Sequence, residues 1–342
     1  MERHGNTGEH THTLEESDSL KRPPATKQMI AAEAMKPYPP RQVATVVKEL
    51  GKRSGLSGPA ECVTTKEVAN MQVKLLGPQT KHLFAEGSLQ HDIESSIEFL
   101  SKKGYSCSRF SAMRNSYQGF VFAQPSQLEK LLHFGWLTLM DSTHNTNKWR
   151  WQLFTLYIRD GCGCWVVGAH FFLAGEDGKA IENGLAAIRQ LVPTWQPRYM
   201  LIDQSSIECN GITEAFPGLA KGEQVCSILW CTVHVMHTWM RKVTHDGAKS
   251  KLSLAMHKRT KVGCQEMIQQ AIACCDAPHV QSYITRNWTK NLDKWAMYAR
   301  MHSPLLLQVT STNALESYHS ELKTRTSRHH GLIGICFLFA CL

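Results

Sequence analysis

WLTLMDSTHNTNKWRWQLFTLYI, residues 136–158, is the stretch that decides the fold class. Its first part, WLTLMD (136–141), predicts a buried strand that ends on an acid, and WQLFTLYI (151–158) predicts a strand rich in aromatic and branched residues. CWVVGAHFFL (164–173) follows glycine turn signals and predicts a third strand. Three strands in succession indicate an antiparallel meander.

Helices and strands alternate after the meander. An apolar helical pattern ends at Pro193, and YMLID (199–203) is a short apolar run that again ends on an acid. A helix over about 206–216, a strand at VCSILW (225–230) and a helix through His237 come next. The order β-β-β-α-β-α-β-α predicts an α/β, or α+β, fold with a mixed five-stranded sheet flanked by helices.

Three acidic residues stand where their side chains can meet. Asp141 and Asp203 each follow a hydrophobic strand, so they can converge in a solvent-open cleft without burying an unpaired charge. A helix through LESYHSELKTR, capped at Thr310, Ser311 or Thr312, supplies a third acid. Its i, i+3, i+4 and i+7 spacing places on one face Glu316, His319, Ser320 and Lys323.

Asp141, Asp203 and Glu316 form a candidate site for hard divalent cations. Mg²⁺ or Mn²⁺ prefers oxygen ligands and keeps several waters, so two or three carboxylates plus phosphate oxygens are sufficient. Two such ions ~4 Å apart can deprotonate an attacking water or 3′-hydroxyl and stabilise the departing oxygen. An acid after an apolar strand is also a common turn former, so spacing alone leaves both interpretations open.

The composition is that of a basic protein able to form a core. The chain has 342 residues, 42% of them hydrophobic, and 38 Lys and Arg against 29 Asp and Glu give a formal charge of +9. This balance suits a polyanion such as DNA, although many basic proteins bind no nucleic acid. No run reaches the ~18 apolar residues of a membrane span, and the first residues lack a secretory pattern. We therefore expect a soluble protein with reduced cysteines and no membrane partner.

Composition shifts divide the chain into segments. The expected segments are a disordered tail at 1–28, an N-terminal helical region at 29–125, the first part of the core at 126–243, a helical insertion at 244–303, the last core helix at 304–330 and an apolar end at 331–342. The N-terminal helices, surrounded by lysines, could bind DNA or be an ordinary helical pair. The apolar end indicates either a buried final element or a truncated chain.

Four strings resemble those of a known family. They are LTLMDSTHNTNKW, YMLIDQSSIECNGITEAFPG, CTVHVMHTW and TSTNALESYHSELK, which span most of residues 90–326. In content, order and separation they resemble the successive blocks of Mutator-like element (MULE) transposases, of the DDE and RNase H-like superfamily. The most specific block is Thr-Asn-x-x-Glu-Ser-x-His-x-x-Leu-Lys, which is matched from Thr312 to Lys323.

The resemblance implies an RNase H-like fold with a helical insertion before the third acid. It implies that Asp141, Asp203 and Glu316 bind two Mg²⁺ or Mn²⁺ ions, and that no small-molecule cofactor is needed. Its partners would be terminal inverted repeats and target DNA, with cleavage and joining of the freed 3′ ends in the nucleus. Because two DNA ends must be paired, a homo-oligomer is expected. The zinc-binding modules that the family commonly adds are not visible in this sequence.

Supporting residues follow from the same resemblance. It places a Cys-x2-His pair, Cys231 and His234, near the acids, where His234 could hydrogen-bond a carboxylate or the scissile phosphate. Both residues could equally be packed beneath the sheet, and half of a tetrahedral zinc site is a further use of such a pair. His319, on the face of Glu316, is the third supporting candidate.

The DNA-binding candidates are basic and aromatic residues close to the acids. Lys148, Trp149 and Arg150 lie just beyond the first acid, where a ring could stack on a base and two cations could neutralise phosphates. Trp149 could instead anchor a strand edge. Lys323, beside the expected metal cluster, could contact a backbone phosphate or remain solvated.

Two other functional classes remain open at the level of sequence. One is a domesticated or truncated transposase that binds DNA as a transcriptional regulator without catalysis. The other is a nuclease on the same fold that acts on RNA or hybrid duplexes, because this fold supports several phosphodiester reactions.

Overall fold

The computed structural model describes residues 22–34, 40–55, 57–80, 88–111, 118–175, 177–220, 223–326 and 330–341. The chain divides into two compact units, Met1–Ser88 and Leu89–Leu342, and each is described by itself. None of the helices in these ranges combines the length and apolar character that spanning a membrane requires.

The N-terminal unit is helical. Its helices are α1 (Pro24–Ala34), α2 (Pro40–Arg53), α3 (Ser57–Glu61) and α4 (Thr65–Thr80). Their buried core contains Ile30, Val43, Ala44, Val47, Val63 and Val68. Thr64 caps α4, because its hydroxyl accepts the Glu67 N–H at 3.1 Å.

The expected disordered tail at 1–28 overlaps this helical unit. Residues 1–21 lie outside the described part of the chain. Residues from Pro24 onward belong to α1, because Thr26 and Ile30 are fully buried in the unit and Arg22 forms an ion pair with Glu67 at 2.9 Å. This stretch is rich in polar residues, so its composition does not predict that Thr26 and Ile30 are buried.

The second unit contains a seven-stranded mixed sheet. Its strands are β1 (Ser106–Ser111), β2 (Gln118–Ala123), β3 (Leu137–Thr143), β4 (Gln152–Arg159), β5 (Trp165–Leu173), β6 (Tyr199–Ile202) and β7 (Ser227–Trp230). The order across the sheet is β1-β2-β5-β4-β3-β6-β7. The predicted meander is confirmed as β3, β4 and β5, and β6 and β7 run parallel to β3.

Two details of the sheet differ from the sequence prediction. β1 and β2 enlarge the expected five strands to seven and lie inside the region 29–125, which was expected to be helical. They are short, and β2 completes its hydrogen bonds only by pairing with β5, distant in sequence. In addition, β3 does not end at Asp141, because pairing with β4 continues to Thr143.

Helices cover both faces of the sheet. In chain order they are α5 (Leu89–Lys102), α6 (Pro125–Phe134), α7 (Gly178–Leu191), α8 (Ser206–Ala215), α9 (Thr232–Lys242), α10 (Asp246–Met256), α11 (Lys261–Ala273), α12 (Pro278–Asn287), α13 (Leu292–Trp295), α14 (Pro304–Gln308), α15 (Asn313–Arg325) and α16 (Leu332–Cys341). On one face Leu185 of α7 and Ile212 of α8 share a core with Phe154 of β4. On the other face the preceding residue, Leu153, shares a core with Leu322 of α15. The alternation follows from the pleat of the strand.

A helical insertion before the third acid is confirmed, and it contains the helices α10 to α13. Its core is aromatic: the ring of Trp239 lies edge-on to Trp288 and to Trp295, each at 5.2 Å. Arg300 ties this core to the sheet, because its buried guanidinium donates to the carbonyls of Trp230 (2.7 Å) and Val309 (3.1 Å). The insertion is therefore anchored to the strand that precedes Cys231.

The apolar segment at 331–342 contains α16. Its side chains Leu332, Ile335 and Phe339 are buried in the core that includes Ile93 of α5. Asp92 of α5, itself 1% exposed, accepts hydrogen bonds from the first N–H groups of α16, at 2.8 Å from Leu332 and 3.1 Å from Ile333. A carboxylate at a helix N-terminus satisfies donors that the helix leaves unpaired.

We predict that Asp92→Ala destabilises this unit by about 2–4 kcal/mol, because three N–H donors, counting the Trp149 indole at 2.6 Å, lose a buried charged acceptor. Urea unfolding followed by circular dichroism measures the change. Glu94→Ala on the exposed face of α5 is the control and should cost less than about 0.5 kcal/mol. Equal losses in the two variants would contradict the capping role.

Candidate functional site

Asp141 and Asp203 lie at the same end of the sheet because β6 pairs in parallel with β3. In that pairing Leu139 is opposite Leu201, and each acid lies two residues beyond its leucine. The chain turns after Asp203, where Ser205 caps α8 by accepting the Glu208 N–H at 3.2 Å. Both acids line one cavity of about 300 Å³.

Glu316 reaches this site from the first turn of α15. The hydroxyl of Thr312, at the start of that helix, lies 3.2 Å from Asp203 Oδ1 and 3.2 Å from Glu316 Oε1. One hydroxyl proton can serve only one of these oxygens at a time, so Thr312 links the two carboxylates without satisfying both. The structure thus brings Glu316 close to Asp203, whereas Asp141 shares the cavity with Asp203 only.

His234 supplies a positive charge between two of the acids. Its Nδ1 lies 2.8 Å from Asp203 Oδ1 and 3.7 Å from Glu316 Oε1. The hydrogen bond to Asp203, followed by one to Cys231, raises the pKa of His234 to about 10, although burial opposes the shift. Without a bound ion the imidazole is thus protonated at neutral pH and offsets the carboxylate charge.

Cys231 lies beneath this pair, at the end of β7. Its fully buried Sγ accepts the Thr312 N–H at 3.4 Å. Burial alone would raise the pKa of Cys231, but hydrogen bonds from His234 and Thr312 outweigh burial and lower it. The structure therefore brings the predicted Cys-x2-His pair together with Asp203 as one connected cluster.

Two sets of side chains here offer ligand atoms for a divalent cation, and among the described residues only the second set has its candidate ligand atoms within 4.8 Å of one another. Asp141, Asp203 and Glu316 offer only oxygen atoms, which are the ligands of hard ions such as Mg²⁺. The candidate ligand atoms of Asp203, Cys231 and His234 lie within 4.8 Å of one another and mix oxygen, sulfur and nitrogen, a set that suits zinc. Because Asp203 belongs to both sets, they describe alternative uses of one site. A metal bound through His234 would have to displace its proton.

His319 contacts Asp141 rather than the open cleft. Its Nδ1 lies 3.2 Å from Asp141 Oδ2, and only 4% of the residue is exposed. The helical face expected to carry Glu316, His319, Ser320 and Lys323 is therefore divided: His319 points into the core, and the other three residues are exposed. The tilt of α15 on the sheet makes this division, because Leu315, His319 and Leu322 form its buried stripe.

The DNA-binding candidates after the first acid lie in the β3–β4 connection. The indole N–H of Trp149 donates to the buried Asp92, and the Lys148 ammonium lies 4.7 Å from the centre of that indole ring. Trp149 thus anchors the connection to α5. Arg150 is exposed and has a positive φ of 58°.

Sequence reasoning missed several residues of the cleft and its support. The cavity is also lined by Ser142, His144, Gln152, Ser205 and Glu208. Behind Asp141, Thr155 and His170 are buried polar residues on β4 and β5. They were visible as polar interruptions of the apolar strings WQLFTLYI and CWVVGAHFFL, a signal that needs the strand pairing to be interpreted.

Comparison with known proteins supports the fold. Residues 97–220 match the family model described as Zinc finger SWIM domain-containing protein 1/3, RNaseH-like domain. The match includes Asp141 and Asp203 and ends before Cys231, His234 and Glu316. A comparison with curated proteins finds no match. The second unit therefore has an RNase H-like fold, which commonly binds divalent metal ions.

We predict that His234 stabilises the metal-free protein in a pH-dependent way. Its pKa is raised in the folded state to about 10, against about 6.5 when unfolded, so the stabilisation is complete below about pH 6.5 and is lost as pH rises through 10. In EDTA the Tm of wild type should exceed that of His234→Gln most near pH 6, and the difference should shrink toward pH 10.

A double-mutant cycle controls this prediction. In an Asp203→Asn background the pH dependence of the His234→Gln effect should largely vanish, because the Asp203 carboxylate is the main cause of the raised pKa. A Tm difference that grows between pH 6 and pH 10 would contradict the assignment.

Proposed function

On this RNase H-like fold, we propose that the chain is the catalytic part of a DNA transposase of the MULE kind. Asp141, Asp203 and Glu316 would hold Mg²⁺ or Mn²⁺ for strand cleavage and strand transfer at element ends. The observation that carries the proposal is that Asp203 of β6 lines one cavity with Asp141 of β3 and is linked through Thr312 to Glu316 of α15.

The chain's own groups prepare the site. When bound, a divalent ion activates the attacking water or 3′-hydroxyl and stabilises the departing oxygen at phosphorus. Asp203 is oriented by His234 and Thr312, and Asp141 by His319. The Glu316 side chain is 45% exposed, so its carboxylate is accessible to an ion that enters from solvent. His234 can hold a proton beside these acids when no ion is present.

DNA is the partner that the charge of the chain favours. The formal charge is +9, and Lys323 lies on the exposed side of α15, two turns from Glu316. Terminal repeats and target DNA would therefore approach along α15, with Arg150 as a further exposed cation. This function places the protein in the nucleus, and pairing of two DNA ends requires a homo-oligomer.

A second candidate is a transposase-derived protein that binds DNA without cutting it. It is favoured by the identity of the matching family model, which describes the RNaseH-like domain of SWIM zinc-finger proteins. The mixed donor set of Asp203, Cys231 and His234 also allows a structural ion in place of a catalytic one. The two candidates differ in whether the acids act on phosphodiesters.

We predict that Asp203→Asn retains DNA binding but loses nicking by more than about 100-fold, because binding depends on cations and chemistry on the carboxylates. Nicking is measured on supercoiled plasmid and on DNA from inverted repeats flanking the gene, in Mg²⁺ and in Mn²⁺. Asp246→Asn, at a side chain 92% exposed in the insertion, is the matched control and should nick normally.

The outcomes separate the candidate functions. Equal nicking by wild type and Asp203→Asn would refute the catalytic role of this acid. Binding by both proteins with nicking by neither would favour the non-catalytic candidate. Cleavage confined to RNA or hybrid duplexes run in parallel would identify a nuclease of another class.

We predict that Lys323→Ala weakens DNA binding and reduces the slope of log K against log salt by about 0.9, the value for one lost phosphate contact. Lys130→Ala on α6 is the control. Lys130 pairs with Asp160 at 3.6 Å, beyond the end of β4 and therefore at the sheet end opposite to Asp141. Equal salt slopes for wild type and Lys323→Ala would exclude that contact.

A further inference from the structure

A row of polar side chains crosses the sheet behind the candidate site. Asp141 on β3 is the cross-strand partner of Thr155 on β4, and Thr155 is the partner of His170 on β5. On the next strand, the partner of His170 is Phe122, whose ring stacks on the imidazole at 5.2 Å. Thr155 and His170 are 0% and 1% exposed, so water does not supply their hydrogen bonds.

Two residues of α15 complete the row into a continuous chain. From the core outward, Tyr318 OH lies 3.2 Å from His170 Nε2, and His170 Nδ1 lies 3.1 Å from Thr155 Oγ1. Thr155 Oγ1 lies 3.0 Å from His319 Nε2, and His319 Nδ1 lies 3.2 Å from Asp141 Oδ2. Both nitrogens of both imidazoles are thus engaged.

We infer that His170 is a positioning residue for Asp141, acting through Thr155 and His319 in a chain of hydrogen bonds whose donors all point toward the carboxylate. The inference rests on the proposed function for its consequence in catalysis. The hydrogen-bond distances that support it are those of the metal-free protein.

The direction of the chain follows from the number of protons available. A carboxylate can only accept, so the nitrogen of His319 that faces Asp141, Nδ1, carries a proton. In a neutral His319 the other nitrogen, Nε2, then accepts from the Thr155 hydroxyl. Having given its one proton to His319, Thr155 Oγ1 accepts from His170 Nδ1–H. His170 Nε2 finally accepts from the Tyr318 hydroxyl.

The reverse direction would need an additional buried charge. It requires a proton on both nitrogens of His319, with Thr155 donating to His170 and His170 donating to Tyr318. His170 itself stays neutral, because burial, followed by the nearby His319, lowers its pKa to about 3 against a smaller opposing hydrogen bond with the Phe154 backbone. An imidazolium at His319, which is 4% exposed, would carry the desolvation cost of a buried charge even with Asp141 at 3.2 Å as its partner.

The chain fixes one oxygen of Asp141, and the main chain fixes the other. Oδ2 faces His319, while Oδ1 accepts the N–H of Ser142 at 2.7 Å. The carboxylate therefore has one defined orientation, and its remaining lone pairs point to the cavity that it shares with Asp203. Partners behind a ligand group commonly change metal affinity or activity 10- to 100-fold when they are removed.

The first test reads the protonated nitrogens in the metal-free protein. Long-range ¹H–¹⁵N correlation spectra of histidine-labelled protein at constant pH, assigned with His→Gln variants, should show His170 and His319 both protonated on Nδ1 and bare on Nε2. Thr155→Val should shift the ring signals of both histidines. Thr138→Val, at another fully buried threonine whose hydroxyl donates to the Gly135 carbonyl, should shift neither.

The second test measures the consequence for Asp141. Mn²⁺ affinity by electron paramagnetic resonance should fall about 10-fold or more in His170→Phe, which keeps the stacking on Phe122 and Phe339 but has no polar atoms. His170→Gln should recover most of the affinity, because its amide can donate to Thr155 and accept from Tyr318. In nicking assays the loss should fall on kcat, with the KM for DNA unchanged.

Three outcomes would contradict the inference, and a fourth would separate it from the proposed function. A proton on His170 Nε2, histidine signals indifferent to Thr155→Val, or equal Mn²⁺ affinity in His170→Phe and wild type would each overturn the inference. The expected spectra and Mn²⁺ affinities in a protein that nicks no DNA would uphold the positioning chain and refute the proposed catalytic function.

Discussion

The parallel pairing of β6 with β3 is the interaction on which the candidate site depends. It aligns Leu139 with Leu201 and so brings two acids that are far apart in sequence to the same level at one end of the sheet. A slip of one residue would turn one of the acids to the opposite face, because side chains alternate along a strand. The site therefore needs no special loop conformation. The buried leucines on both strands, which share a core with Leu315 of α15, hold the register.

His234 offsets part of the negative charge of the site before any ion binds. His234 lies between Asp203 and Glu316 as a cation, and Cys231 and Thr312 hold that arrangement from below. Ion binding at these groups is consequently linked to proton release, since an imidazolium and a divalent cation compete for the same oxygens. The RNase H-like fold, the acids and this linkage are consistent with phosphodiester chemistry. The mixed ligand set of Asp203, Cys231 and His234 is equally consistent with a structural ion.

The sequence predicted the features that have a local pattern and missed those that depend on long-range pairing. The strands of the meander, the acids that follow apolar runs and the helical insertion each have a signature within a few residues of themselves. β2 was missed because its partner β5 lies about 50 residues away in the chain, and β1 was missed with it because β1 pairs with β2 at the edge of the sheet. Thr155 and His170 were missed for the same reason, because their link to Asp141 appears only when β3, β4 and β5 are paired in register. The burial of His319 likewise depended on how α15 lies on the sheet.

Arg300 has a consequence for the modularity of the fold. A segment inserted between two core elements can normally change in length or be replaced without loss of the core. Here the guanidinium of Arg300, inside the insertion, donates hydrogen bonds to main-chain carbonyls on both sides of it, at Trp230 before the insertion and at Val309 after it. Shortening the loops between α10 and α12 would keep both hydrogen bonds. Replacing the insertion with one that lacks an equivalent arginine would remove them, and the end of β7 and the segment leading to α15 would lose this contact. The constraint that Arg300 sets on this insertion therefore lies at its C-terminal end, where the guanidinium binds the core.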